Sequence, residues 1–97
     1  MLDLSTIAET VEKVAKSHLK PIVIRALAEP AIDSEGREAL RVTIVIQPDA
    51  AGRLEGDAIL DTLVHIQDRL REAGEERFAI VQYATEDELE TGGDSQS

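Results

Sequence analysis

The sequence predicts an α+β domain: a three-stranded sheet, made of an antiparallel hairpin and one further strand, with two helices packed on one face. Three observations predict this fold class. Two segments repeat apolar residues at the spacing of an amphipathic helix, and three shorter segments are rich in β-branched residues. The elements follow the order α-β-β-α-β, and two helices are enough to cover one face of so small a sheet.

The first helix is predicted to end before Pro21, because proline cannot continue a helix. Its outer surface carries negative charges early and positive charges late, as the helix dipole favours. Thr6 and Glu9 have the spacing of a capping box, with Asp3 and Ser5 as competing caps. The residues that recur at helical spacing are Leu4, Ile7, Val11, Val14 and His18.

Two strand segments joined by a polar turn predict an antiparallel hairpin. The first strand covers residues 22–29, and Pro30 should interrupt it because proline cannot donate to a ladder; the alternative is that residues 31–32 continue it as an irregular edge. The turn at residues 33–36 is polar and contains a glycine, as hairpin turns commonly do. The expected register brings Arg25 near Thr43, to within a residue or two.

The second strand, residues 39–47, has the cleanest period of two in the chain. Such alternation is typical of a strand with one side on a core. Pro48 ends the strand. The residues that should face the core are Leu40, Val42, Ile44 and Ile46 in this strand and Ile22, Ile24, Ala26 and Ala28 in the first.

The second helix is predicted to run from a cap at Asp57 to about Ala73, with Gly74 at its C-terminal end. The last strand covers residues 77–84. A right-handed crossover would place it parallel beside the second strand, and the alternative is antiparallel pairing with the first. The residues expected to face the core are Ile59, Leu60, Leu63, Val64, Ile66 and Leu70 in the helix and Phe78 and Ile80 in the strand.

Negative charge is concentrated near the C-terminus. Twenty acidic and ten basic residues give the 97-residue chain a formal net charge of −10. Positions 1–85 hold 15 acidic and all ten basic residues, which gives −5, and positions 86–97 hold the other −5. That segment is also rich in glycine and serine. We therefore expect one α+β domain over 1–85 and a disordered acidic tail over 86–97, with at most one helical turn at 86–90.

With both helices on one face, the other face of the sheet should stay open. It would be more apolar than a solvated face requires, and exposed apolar patches on small proteins commonly mark contact surfaces. We therefore predict an interface on this face, for a homodimer or for a protein partner. The candidate interface residues are Val23, Arg25, Leu27, Arg41, Thr43, Val45, Val81 and Tyr83.

Catalytic and metal-binding motifs are not recognisable in the sequence. The chain has no cysteine, no phosphate-binding glycine loop and no activated serine motif, so we predict neither a cofactor nor an enzyme. Asp61, His65, Asp68 and Glu72 share one helical face, but surface helices often carry such stripes. A metal-dependent enzyme on that stripe is the third hypothesis. His18 is interpreted as a packing residue or a helix C-terminal cap.

The element order resembles the type II KH-like arrangement, including the small BolA-like proteins, over most of residues 4–85. The resemblance implies nucleic-acid binding as the alternative function. Judged from charge alone, the basic residues that would contact a nucleic acid are Lys13, Lys16 and Lys20, a short strip on the first helix, and Arg25 and Arg41 on the sheet. The motifs of that arrangement differ here: two glycines, Gly52 and Gly56, are four apart instead of forming a G-x-x-G loop, and Phe78 stands where BolA-like proteins have a histidine. No functional residue is carried over, and net acidity disfavours a phosphate backbone as partner.

The N-terminus has no secretory signal, and no run of about 18 apolar residues predicts a membrane helix. We therefore expect a cytoplasmic protein. The function predicted is that of a small acidic, non-catalytic interaction or regulatory protein. A basic protein partner would suit its charge, as for an antitoxin or an immunity-type protein, and self-association as a dimer would suit its open sheet face.

Overall fold

The structure is a computed structural model that describes residues 2–94, with every side chain in that range except those at positions 20, 51 and 91–94. The predicted fold class is confirmed: three strands form one sheet, and the two longer helices pack on one face. No helix in this range has the length and apolarity needed to cross a membrane. The elements are α1 (Leu4–Leu19), β1 (Val23–Ile32), β2 (Glu38–Ile46), α2 (Gly56–Glu72), β3 (Phe78–Thr85) and α3 (Glu86–Asp94).

The strand order is β1-β2-β3, so β2 is central. β1 and β2 are antiparallel, with Arg25 opposite Val45 and Leu27 opposite Thr43. The register differs from the predicted one by two residues, within the tolerance stated. β3 is parallel to β2, the first of the two predicted alternatives. β1 continues through Pro30, because an edge strand can hold a proline without losing a bond of the ladder.

The core lies between the helices and the sheet. The four β2 residues predicted to face it are buried there, which confirms the alternation of that strand. Both helices contribute branched aliphatic residues, since the chain has no tryptophan and one phenylalanine. The largest fully buried apolar side chains of this core are Ile7, Val11, Leu40, Val42, Ile44, Ile66 and Leu70.

α1 starts after Asp3, one of the two competing caps that were predicted, whereas α2 starts before its predicted cap, Asp57. Asp3 caps α1, because its carboxylate accepts the Thr6 N–H at 2.8 Å, and this hydrogen bond lowers the pKa of Asp3. The predicted box between Thr6 and Glu9 is not used. α2 begins at Gly56 after Glu55, which makes no side-chain cap hydrogen bond, so Asp57 lies inside the first turn. There its negative charge still favours the helix dipole.

The end of α2 follows the prediction. Gly74 has a φ of +99°, a conformation that glycine adopts without steric cost. The Gly74 N–H donates to the Arg71 carbonyl at 3.0 Å, and the Glu75 N–H donates to the Leu70 carbonyl at 2.8 Å. This pair of bonds is a Schellman motif, which satisfies two carbonyls at the helix end and turns the chain towards β3.

Glu75 is a buried charge that ties the start of the chain to the start of β3. Its side chain is 1% exposed, and that of Arg77 is 13% exposed. Its carboxylate accepts the Leu2 N–H at 2.9 Å and the Arg77 N–H at 2.9 Å, and it also binds the Arg77 guanidinium at 2.9 and 3.0 Å. Chiefly through the Arg77 side chain, these bonds lower the pKa of Glu75 to about 2.

α3 occupies the segment for which composition predicts a disordered tail. Thr85 and Glu88 form a capping box at its start. The Glu88 carboxylate accepts the Thr85 N–H at 2.8 Å, and the Thr85 hydroxyl accepts the Glu88 N–H at 3.2 Å. The predicted helical turn therefore extends to Asp94, and residues 95–97 lie outside the described part of the chain.

Candidate interaction surface

Five of the eight candidate interface residues lie on the sheet face opposite α1 and α2, which we call the open face. Arg25 and Leu27 in β1 pair with Val45 and Thr43 in β2, and paired residues share a face. Arg41 lies two residues before Thr43 and therefore on the same side. The sequence pattern placed these five residues correctly.

The other three candidates lie on the helix side. Val23 is 6% exposed and belongs to the core, because a β-bulge between Val23 and Arg25 shifts the phase of β1 by one residue. Ile24, which was predicted to face the core, is 37% exposed for the same reason. Val81 and Tyr83 pack against the core from β3. The face assignment of Val23, Val81 and Tyr83 is therefore corrected.

β3 has the opposite phase to the predicted one. Ala79, which is fully buried, faces the helices with Val81 and Tyr83. Phe78 is 60% exposed, and Ile80 pairs with a residue of the open face, so neither faces the core. The strand has apolar residues on both sides, and a period of two cannot decide which side is inward in such a strand.

One end of the open face is covered. Thr43 is 5% exposed and accepts a hydrogen bond from the Gln82 amide at 2.8 Å. Val45 is fully buried although it lies outside the core on the helix side. Beside it, the Arg25 guanidinium donates to Glu86 at 2.8 and 3.2 Å, which fastens the start of α3 at this end and lowers the pKa of Glu86. A bare apolar face is therefore not present here.

Three of the basic residues considered for nucleic-acid binding pair with carboxylates. Besides Arg25, Arg41 lies 3.5 Å from Glu29 across the hairpin, and Lys16 lies 2.9 Å from Glu12 on α1. Exposed pairs of this kind contribute little to stability, but they neutralise the local charge. The open face consequently presents no patch of unpaired positive charge at Arg25 and Arg41.

The acidic and histidine stripe of α2 does not converge on one point. Within residues 2–94, no three His, Cys, Asp or Glu side chains come together in a way that would hold a metal ion. Asp68 accepts a hydrogen bond from Arg71 at 3.2 Å. His65 instead lies against His18, with 4.4 Å between the ring centroids. His18 is half-buried near the end of α1, which agrees with its interpretation as a packing residue.

Two exposed apolar side chains lie on α2. Leu60 is 60% exposed and Val64 is 53% exposed, although both belong to the stripe that was predicted to face the core. The stripe is broader than the contact between α2 and the sheet. The Gln67 side chain hydrogen-bonds the backbone of β3, so it lies on the side of the helix that faces this strand. Leu60 and Val64 precede Gln67 by seven and three residues. They therefore lie on the same side.

The outer edge of β3 is closed at both ends and open between them. The Gln67 amide donates to the Ala79 carbonyl at 2.7 Å and accepts the Ala79 N–H at 3.3 Å. Backbone groups along a strand point alternately to its two sides, so the groups of Val81, Tyr83 and Thr85 also point outward. Glu88 accepts the Thr85 N–H, whereas no side chain in the described range bonds the backbone of Val81 or Tyr83.

An apolar groove follows this edge. It has a volume of about 200 Å³ and lies between α2 and β3. Tyr83 lines it, and the Tyr83 hydroxyl has no hydrogen-bond partner in the described range. Burial raises the pKa of this hydroxyl. The neighbouring Thr62 hydroxyl donates to the Ala58 carbonyl instead. We call the following residues the β3-edge surface: Leu60, Leu63, Val64, Phe78, Val81 and Tyr83.

Comparison with known proteins adds no relative: no protein-family model matches the chain, and no curated protein sequence matches it.

Proposed function

We propose that this chain is an interaction protein that binds a second copy of itself through the β3-edge surface. The interface predicted from sequence on the open face thereby moves to the neighbouring edge of the same sheet. Two of the original candidates, Val81 and Tyr83, belong to it. The open face contributes less, because two ion pairs lie on it and Thr43 and Val45 are buried.

The observation that carries the proposal is the pattern of free backbone groups on β3. Within residues 2–94, Val81 and Tyr83 are the β3 positions whose outward N–H and C=O groups have no partner, and capped positions flank them. If two β3 strands lie antiparallel about a two-fold axis at Gln82, Val81 of one chain pairs with the partner's Tyr83, and the reverse. Each such pair exchanges two hydrogen bonds, so all the free groups are satisfied.

The apolar residues of α2 support the same arrangement. A two-fold axis at the β3 edge places both α2 helices on one side of the joined sheet, next to each other. Leu60 and Val64 of each chain then face their counterparts, and Phe78 lies beside the junction. A two-fold interface must be complementary to itself, and apolar surface meets this condition without opposite charges.

A protein partner of positive charge remains the second part of the proposal. The chain has a formal charge of −10, and the first turn of α3 carries three of its acidic residues. Pairing two chains places two such segments on one particle, which increases the attraction for a basic protein. We infer a regulatory role of this kind, in which a dimer presents acidic α3 segments to a basic partner.

Amide hydrogen exchange measured over a range of protein concentrations tests the pairing. We expect the amides of Val81 and Tyr83 to exchange more slowly as concentration rises, because the dimer adds their hydrogen bonds. Ile80 and Gln82 serve as internal controls, since their amides point to β2 in every state. Concentration-independent exchange at Val81 and Tyr83, with a monomer in sedimentation experiments, would overturn the proposal.

A matched pair of variants tests the apolar contact. Leu60→Glu places a charge in the interface, whereas Ile32→Glu adds the same charge at a residue of equal size and similar exposure, 64% against 60%, at the end of β1. We expect Leu60→Glu to raise the dimer dissociation constant at least about ten-fold, and Ile32→Glu to change it by less than about two-fold. Equal effects of the two variants would place the interface elsewhere.

A further inference from the structure

A cluster of basic groups lies between α1 and α2, on the side of α2 away from β3. It lines a surface cavity of about 150 Å³. In a chain with twice as many acidic as basic residues, such a concentration of positive charge is unexpected. The lining residues are Lys13, Val14, Ser17 and His18 from α1 and His65 and Arg69 from α2.

The two histidines make the same kind of hydrogen bond to their own helices. The Nδ1 atom of His18 lies 3.0 Å from the Val14 carbonyl, and the Nδ1 atom of His65 lies 2.8 Å from the Asp61 carbonyl. A carbonyl oxygen only accepts, so both Nδ1 atoms carry hydrogen. Each Nε2 atom is left without a hydrogen-bond partner in the described range, and the rings are 4.4 Å apart.

The charges around the histidines are positive. Lys13 and Arg69 line the cavity, and neither makes an ion pair within residues 2–94. Of the neighbouring carboxylates, Glu12 binds Lys16 and Asp68 binds Arg71, so both are used elsewhere. The other carboxylates near in sequence on the two helices are not among the lining residues: Glu9, Asp61 and Glu72.

We propose that this cavity binds a phosphate group, either as inorganic phosphate or at the end of a small phosphate monoester. Lys13 and Arg69 supply fixed positive charge, and the Ser17 hydroxyl supplies a further donor. A metal cation would meet the repulsion of Lys13 and Arg69, although neutral histidine nitrogens are good metal ligands.

The site is independent of the β3-edge surface, because it lies on the opposite side of α2.

The test is a titration of the whole protein with inorganic phosphate, followed by the NMR signals of the His18 and His65 rings at constant ionic strength. We expect saturable shifts that are absent with chloride. Arg69→Gln should weaken phosphate binding about ten-fold or more, because it removes a charged donor. The control is Arg71→Gln on the same helix, which should change it by less than about two-fold because that residue is 74% exposed at its side chain and outside the cavity.

Thermal unfolding of both variants verifies that each remains folded. A parallel titration with methyl phosphate distinguishes the sources: binding equal to that of inorganic phosphate assigns the site to monoesters, and weaker binding assigns it to free phosphate. Absence of saturable shifts would overturn the proposal, as would equal losses in Arg69→Gln and Arg71→Gln. Saturation by Zn²⁺ without a response to phosphate would also overturn it.

Discussion

The two edges of the sheet differ in how they are protected from pairing with another strand. β1 contains Pro30 and a bulge, and it carries charged side chains, Arg25 and Glu29, that pair with carboxylate or guanidinium groups nearby. Proline, bulges and charge are the usual means by which natural sheets prevent edge pairing. β3 has none of the three over Phe78–Thr85. Side chains close it only at Ala79 and Thr85.

This difference shows how an edge strand can have free backbone hydrogen-bonding groups and still pair in only one register. A fully open strand pairs in several registers, because nothing distinguishes one offset from the next. On β3, Gln67 and Glu88 already satisfy positions on either side of Val81 and Tyr83. A second strand gains the most hydrogen bonds in only one register. The β1 edge, in contrast, excludes partners along most of its length.

The largest predicted effect breaks the attachment of β3 at its start. Glu75→Gln keeps the size of the side chain but removes the negative charge that binds the Arg77 guanidinium. The NH₂ group that replaces one carboxylate oxygen cannot accept a hydrogen bond, so it meets N–H donors that the oxygen had bonded. Loss of one partner from a buried pair costs about 3 kcal/mol of unfolding free energy. Chemical denaturation should show this loss, and hydrogen exchange should increase in β3 more than in β1.

Glu76→Gln is the matched control, since this neighbouring side chain is exposed and makes no ion pair within residues 2–94. We expect it to change stability by less than about 0.5 kcal/mol. Equal losses in the two variants, or equal acceleration of exchange in β1 and β3, would show that Glu75 does not hold β3 in particular.

Acid should have the same effect on β3 as the Glu75→Gln substitution. The folded protein holds the pKa of Glu75 at about 2, below the ordinary 4.5, so the stabilisation is complete above pH 4.5 and is lost as the pH falls through about 2. The full difference corresponds to about 3 kcal/mol. Unfolding free energies measured across this range should fall more steeply in the wild type than in Glu75→Gln. Parallel curves would contradict the assignment.

The sequence pattern predicted the parts of this molecule in which one period dominates. All four β2 residues predicted to face the core lie in it, and Gly74 ends α2 as predicted. The phase of β3 was not predictable, because apolar residues occupy both of its sides. The bulge in β1 likewise cannot be recognised in the apolar pattern. The prediction therefore assigned Val23 and Ile24 to the wrong faces of the sheet.

Parts of the candidate site depend on side chains that look ordinary in the sequence. Gln67 interrupts an apolar stripe and reads as a surface residue, yet it closes one end of the β3 edge. Glu75 reads as a loop residue beside Glu76. The signal for α3 was present, however: Thr85 and Glu88 have the spacing of a capping box, which the acidic composition of the segment concealed.

The smallest of the three predicted effects removes the cap at one end of the β3 edge. Gln67→Met keeps the volume and the helix propensity but leaves the N–H and C=O of the fully buried Ala79 without partners. We expect a loss of about 2 kcal/mol of unfolding free energy in denaturation experiments. Gln82→Met is the control, because its amide bonds the Thr43 hydroxyl and no backbone group, and it should cost less than about 1 kcal/mol.

The same substitution, Gln67→Met, should also affect the dimer. Because Ala79 becomes an unpaired position next to Val81 and Tyr83, the partner strand no longer has one preferred register in this variant. Amide exchange of β3 in the dimer should therefore become less uniform in this variant, and unchanged protection at Val81 and Tyr83 would show that Gln67 does not set the register.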